Sequence, residues 1–131
     1  YVAASSAELA RASDFMARLT GYGFLVEGDW TRDVATLGAN RGLSQCQRLD
    51  AATSCIGGIE AADVVVLLWP TSETRGAWVE LGYAMALHGN RVFASGVDHE
   101  ETVFSALLDA CAETDDGMMD FLLRARDNGE L

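Results

Sequence analysis

Short apolar runs alternate with helical repeats along the chain, and the order of the two defines the fold class. Tyr1-Val-Ala-Ala4 is apolar and reads as a first strand. Ser5 and Glu8 have the spacing of a capping box, and Leu9, Ala12, Met16 and Leu19 then recur at helical spacing. Gly21 and Gly23 stop that helix, and Phe24-Leu-Val26 reads as a second short strand. Residues 27–44 show no clear period and are punctuated by Gly28, Gly38 and Gly42, a length of connection that is often functional. Residues 45–61 read as a helix despite Gly57 and Gly58. Asp63 to Trp69 is the clearest strand: its unbroken apolar run predicts burial on both faces, as in a central parallel strand.

Pro70 ends that strand, and Thr71 to Gly76 form a polar loop. A helix is expected over 77–88 with Gly89 at its C′ position, followed by a strand at Arg91–Ala94. Thr102 to Leu108 reads as helical and Ala110–Ala112 as a last short strand. Asp115 or Asp116 is expected to cap a final helix carrying Met118, Met119, Phe121 and Leu122. Alternating strands and helices imply βαβ units and a parallel sheet. The expectation is a flavodoxin-like or Rossmann-like, doubly wound α/β domain over residues 1–131, with about five strands in the order 2-1-3-4-5. Its ligand crevice would lie at the carboxyl ends of the first and third strands, between the loops after Ala4 and after Trp69.

Composition narrows the partners. At 131 residues and 50% hydrophobic, the chain can build a core without disulfides or metal. Its net charge of −11 argues against nucleic acid and anionic membranes, yet leaves room for a small anion held by local amides and an arginine. All nine basic residues are Arg, which reads as compositional bias. Cys46, Cys55 and Cys111 form no CxxC, and with His88 and His99 as the only histidines no metal-ligand pattern is visible; no metal and no cofactor are expected. No apolar run approaches the ~18 residues of a membrane span, and no signal-peptide pattern opens the chain, so a cytoplasmic location with reduced thiols is expected. The chain opens inside a strand pattern, which suggests a residue or two upstream.

The richest stretch chemically is Arg75-Gly-Ala-Trp-Val-Glu-Leu-Gly-Tyr-Ala84. Glu80 lies near the start of a helix at the expected crevice, where free amides and the helix dipole would favour its anion and so a nucleophile. Gly76 permits a tight turn and close approach to a ligand.

Together with the strands at Tyr1, Ala62–Val66 and Arg91-Val-Phe93, the run Gly76-x-x-x-Glu80-Leu-Gly-Tyr-Ala84 resembles the nucleoside 2-deoxyribosyltransferase superfamily, which includes the deoxynucleoside 5′-monophosphate N-glycosidases. The resemblance implies that Glu80 attacks C1′ of the sugar, and that water or a second base resolves the glycosyl intermediate with net retention. It places Tyr1 beside the nucleophile as a catalytic partner. It puts Thr74 where the glycosidases carry a phosphate-binding hydroxyl and the transferases an Asp. Arg75 adds a positive charge for phosphate. Ser5 and Ser6 offer a second helix start as an anion site, and Ser105 matches a serine that reaches the phosphate from a neighbouring subunit.

The sequence also departs from the family. By spacing, Cys55 stands where the family has an Asp near the sugar and leaving base, and Asp50 would replace it only on an offset helix. Trp78 replaces a common Gly, and Ala7 a basic residue. Trp30 and Trp69 are candidate walls for a nucleobase.

The expected function is therefore cleavage or transfer at the N-glycosidic bond of a 2′-deoxynucleoside or its 5′-monophosphate. The alternative is a non-catalytic nucleotide-binding or sensing module, which Cys55 favours. A generic flavodoxin-like regulatory domain is a third reading; the missing acidic cluster at the end of the central strand speaks against a response-regulator form. A homodimer or higher homo-oligomer is expected through a Met-rich helical surface at Met85, Met118 and Met119.

Overall fold

The computed structural model describes residues 1–37, 42–97 and 103–131. Four strands, β1 (Val2–Ala3), β2 (Val64–Leu68), β3 (Arg91–Ser95) and β4 (Ala110–Ala112), form one parallel sheet in the order β1-β2-β3-β4. Among the described residues five α-helices accompany them: α1 (Leu9–Gly21), α2 (Trp30–Leu37), α3 (Gln45–Ala61), α4 (Gly76–Ala86) and α5 (Asp115–Asp127). The α/β class and parallel sheet are as expected. The strand count and order are not: four strands in sequence order replace five in the order 2-1-3-4-5.

The missing strand is Phe24–Val26. That segment runs beside β1 without pairing to it and leaves a cavity of about 300 Å³, lined in part by Val2, Phe24, Val26, Val64 and Leu122. The cause is local. Tyr1 donates its backbone N–H to Val64 and accepts from Val66 at 3.0 Å, so both its polar groups face β2. In a parallel pair the next residue faces the other way, and the Val2 carbonyl therefore points off the sheet edge. The Trp30 indole Nε1 donates to that carbonyl at 2.9 Å, taking the acceptor a fifth strand would need. Gly23 and Gly28, with φ of 87° and 62°, turn the chain at each end of the segment.

Val65, Val66, Leu67 and Leu68 of β2 are all buried, and since alternate side chains point to opposite faces, helices cover both sides of the sheet. α1 is tied to α5 by Arg11–Asp115 and Arg18–Asp116. α3 packs on α4, and α2 touches both α1 and α3. Arg11 is the strongest tie at the carboxyl ends of the strands. Its Nε and Nη2 hold both oxygens of Asp115 at 2.7 Å, and Nη1 donates to the Trp69 carbonyl at 2.9 Å.

Boundaries shift in ways that matter for the site. The capping box at Ser5 is absent. Ser6–Glu8 is a 3₁₀ turn, with Ser5 Oγ accepting from Ala7, and α1 begins only at Leu9. The Glu8 carboxylate turns instead to Thr71, accepting from its amide at 3.3 Å and its hydroxyl at 3.1 Å. α2 was not visible in the pattern of residues 27–44. α3 runs unbroken through Gly57 and Gly58, opened by a capping box at Ser44 and Gln47. α4 ends at Ala86, short of Gly89. Val103–Leu107 is a 3₁₀ turn, and α5 is capped by Thr114, not by an aspartate. His99 and Gly38 lie outside the described residues. Met118 and Met119 are 0% and 2% exposed, inside the core, so neither contributes to a subunit contact; Met85 is half-buried.

Gly58 persists inside a helix for a packing reason. A Cβ there would lie 2.9 Å from Cδ2 of Tyr1 and 3.2 Å from Cα of Gly28, whereas a Cβ on Gly57 meets nothing within 4 Å. Gly57→Ala should stabilise the protein by about 0.5–1 kcal/mol through helix propensity. Gly58→Ala should destabilise it by about 1–3 kcal/mol through overpacking against the Tyr1 ring. Calorimetric melting of the two variants checks this, and equal shifts of the same sign would refute the packing argument.

Candidate functional site

At the carboxyl ends of β1 and β2 lies a cavity of about 380 Å³. The loop after β1, helix α2, the middle of α3 and the start of α4 build its walls. Glu80 reaches into it from α4. Tyr1 stands behind Glu80, and its phenol donates to Glu80 Oε1 at 2.9 Å across 79 residues of sequence. The Cys55 thiol of α3 is near enough to both to act on their ionisation. Tyr1, Cys55 and Glu80 thus come from three separate elements, brought together by the first strand, the third helix and the fourth.

Glu80 is the fifth residue of α4, a turn beyond the free amides of the helix start, so its anion does not draw on them as expected. Burial pushes its carboxyl above the usual range, and the hydrogen bonds from Tyr1 and Cys55 oppose that shift. Burial, then the neighbouring Glu80 charge, also drives the Tyr1 phenol far up, which keeps it a proton donor to the carboxylate throughout the physiological range. Cys55 is raised by burial first, against a lowering bond from Tyr1, with the Glu80 and Asp33 charges adding to it; it lines the cavity as a neutral thiol.

Thr74, Arg75 and Gly76 also line the cavity, where α4 begins. Arg75 occupies the N-cap position with no side-chain capping bond. Ser5 and Ser6 also line the cavity. Ser5 Oγ already accepts from the Ala7 amide at 3.2 Å and lies 3.5 Å from Ser72 Oγ. Because Ser5 caps and Ser6 opens a three-residue 3₁₀ turn, they line the cavity without the dipole of a long helix. Ala7 lines the cavity where a basic residue was looked for, and Arg11, one turn on, is engaged with Asp115 and Glu8.

Trp30 lines the cavity, but it is 9% exposed and its indole N–H is spent on Val2, so it is an anchor first and a wall second. Trp69 is not part of the lining. It is buried and packs edge-on against Trp78, with ring centroids 4.9 Å apart at 83°. Ser105 lies in the 3₁₀ turn before β4 and is not part of the lining either. Asp50 is exposed and outside it.

Two carboxylates went unnoticed in the sequence. Asp33, on α2, and Glu73, beside Thr74, both line the cavity. Asp33 was legible only once α2 was: Trp30, Asp33 and Val34 are one face of that helix, at i, i+3 and i+4. Among the described residues no group of three or more His, Cys, Asp or Glu is arranged to hold a metal ion, and no helix is long and apolar enough to cross a membrane. Comparison of the chain with protein-family models, curated proteins and solved structures gives no match.

The raised carboxyl has a consequence for stability. Glu80 binds its proton more tightly in the folded than in the unfolded chain. Its contribution to stability is therefore most favourable below the ordinary Glu range and falls as pH rises from there through the raised folded value. Glu80→Gln removes the buried charge and keeps the acceptor for Tyr1. The variant should melt above the wild type at neutral pH, with the gap closing in acid below the ordinary Glu range. A melting-temperature series across pH tests both halves; a wild type more stable than Glu80→Gln at neutral pH would contradict the burial argument.

Proposed function

We propose that the protein cleaves or transfers the N-glycosidic bond of a 2′-deoxynucleoside or its 5′-monophosphate, through a covalent glycosyl intermediate on Glu80. The observation that carries this reading is the 2.9 Å hydrogen bond from the buried Tyr1 phenol to the half-buried Glu80 carboxyl, at the wall of a cavity large enough for a nucleoside. The resemblance of Gly76-x-x-x-Glu80-Leu-Gly-Tyr-Ala84 to the nucleoside 2-deoxyribosyltransferase superfamily gives that pair its chemistry.

On this reading the Glu80 carboxylate approaches C1′ as the bond to the base breaks, and its negative charge shields the oxocarbenium-like centre. Tyr1 holds one oxygen of the carboxyl and so restrains its orientation at the cavity wall. Thr74 and Arg75, at the start of α4, would take a 5′-phosphate or the 5′-hydroxyl. Partial desolvation makes the carboxylate a better nucleophile once ionised, at the cost of ionising it later in pH. The second reading, a binding or sensing module, is favoured by Cys55: a thiol is a poor substitute for a carboxylate in proton transfer. A homo-oligomer, if formed, uses a surface other than Met118 and Met119, which are core residues.

Incubation with a panel of deoxynucleosides and their monophosphates, with chromatography of the free base, decides between the two. An enzyme releases base, and Glu80→Gln lowers the rate by about 10³-fold or more. A binding module releases none in either form. The pH–rate profile should have an acidic limb displaced above the ordinary Glu range, because the reacting form is ionised Glu80 and burial raises it. Tyr1→Phe deletes a hydrogen bond that favours the anion and should move that limb further up. A limb that stays in place would show that Tyr1 does not act on Glu80.

A further inference from the structure

The charge around the Glu80 cavity is one-sided. Asp33 on α2, Glu73 in the loop before α4 and Glu80 itself bring three carboxylates to the lining, and Arg75 is the one basic residue among the described lining. Arg11, one turn beyond the lining Ala7, is already held by both oxygens of Asp115, by Glu8 and by the Trp69 carbonyl. Arg32 of α2 is paired with Asp29 and lies outside the lining. A 5′-phosphate would add about two negative charges to this set. A cation would be drawn in by it. Trp30 is the only aromatic residue of the lining, and an indole ring draws a cation to its face.

The groups that adjoin Glu80 point the same way. A neutral nucleobase leaves a sugar readily only when a proton is supplied to the departing nitrogen. The Tyr1 phenol gives its proton to Glu80 Oε1 at 2.9 Å, and Tyr1 is not part of the lining. The Cys55 thiol faces the cavity and is a poor proton donor to a base. A base that already carries positive charge needs no proton, because it departs as a neutral molecule.

Resting on the glycosidic reading of Glu80, we infer that the substrate of this cavity is a 2′-deoxyriboside of a cationic base, a quaternised heterocycle such as a pyridinium or a 7-alkylpurinium, without a 5′-phosphate. In the first step a bond forms between a Glu80 oxygen and C1′ while the C1′–N bond breaks, and its electron pair neutralises the ring nitrogen. In the second step a water oxygen attacks C1′, the bond to Glu80 breaks with its pair returning to the carboxylate, and the water proton passes to solvent. The sum is cationic nucleoside plus water giving neutral base, 2-deoxyribose and one proton. The charges of Asp33 and Glu73 select the cation before the reaction and take no part in bond making.

The test compares nicotinamide 2′-deoxyriboside, a permanent pyridinium cation, and its 5′-monophosphate with neutral deoxynucleosides. Each kcat/KM is divided by the spontaneous hydrolysis rate of the same compound, because cationic glycosides are the more labile from the start. The corrected value should favour the unphosphorylated cation over the neutral compounds by about 10²-fold. Added salt should raise KM for the cation and leave KM for neutral nucleosides unmoved. The 5′-monophosphate should show a KM about 10-fold or more above that of its parent cation. The double variant Asp33→Asn, Glu73→Gln should raise KM for the cation about 10-fold and keep that of a neutral nucleoside within about twofold. Melting curves check its folding, and the salt series on the wild type tests the same attraction without a substitution. Corrected kcat/KM values that are equal for charged and neutral bases, or higher for the neutral ones, would overturn the assignment while leaving Glu80 in place, as would a KM for the cation that salt does not move. Release of base from no compound, charged or neutral, would remove the glycosidic reading itself and this assignment with it.

Discussion

One edge of the Tyr1 ring rests against two glycines that also touch each other, and the site depends on that close approach. A Cβ on Gly58 of α3 would lie 2.9 Å from the ring, and one on Gly28 before α2 would crowd it at 3.2 Å on a backbone of positive φ. Their closeness lets β1, α2 and α3 converge, so the phenol emerges at Glu80 and the Cys55 thiol lies beside both. The glycines cost helix propensity and chain entropy locally. What they secure is placement: the buried ring holds its hydroxyl 2.9 Å from the Glu80 carboxyl on another helix.

That pair also carries a conflict between folding and chemistry. Water would solvate the Glu80 anion better than this pocket does, and two hydrogen bonds only partly offset the loss. A side chain retained for stability alone would be glutamine or an apolar residue. A carboxyl that faces a cavity and is held by a buried phenol is therefore a candidate for function on physical grounds.

Much of this was legible in the chain, and the illegible part has physical causes. The run Val64–Leu68 could be nothing but a doubly covered strand, and Gly76 to Ala84 announced both a helix at the crevice and its carboxylate. The juxtaposition of Tyr1 with Glu80 was implied only by the family resemblance; the 2.9 Å hydrogen bond between them is a finding of the structure. Phe24–Val26 misled because β-propensity does not know whether an edge is open; Trp30 had taken the one outward carbonyl. α2 was missed although Trp30, Val34 and Leu37 hold helical spacing behind Asp29, because the surrounding glycines drowned a two-turn signal. Asp33 was lost with it. Met118 and Met119 misled as neighbours: adjacent helical residues both sink only where a helix is flanked on two sides, here by the sheet and by neighbouring core.

The Trp30 indole has a meaning outside ligand binding. β1 is the margin of the sheet, two residues long, with one outward carbonyl on Val2. Such margins are where chains add to one another, strand upon strand, into aggregates. A bulky ring bonded to that carbonyl at 2.9 Å, with Phe24–Val26 laid alongside and a cavity between, denies an incoming strand both its first hydrogen bond and a flat surface. Loss of the indole N–H by Trp30→Phe would leave the packing nearly intact and yet expose a sticky seam, so that solubility on storage, more than melting temperature, is where this residue makes itself felt.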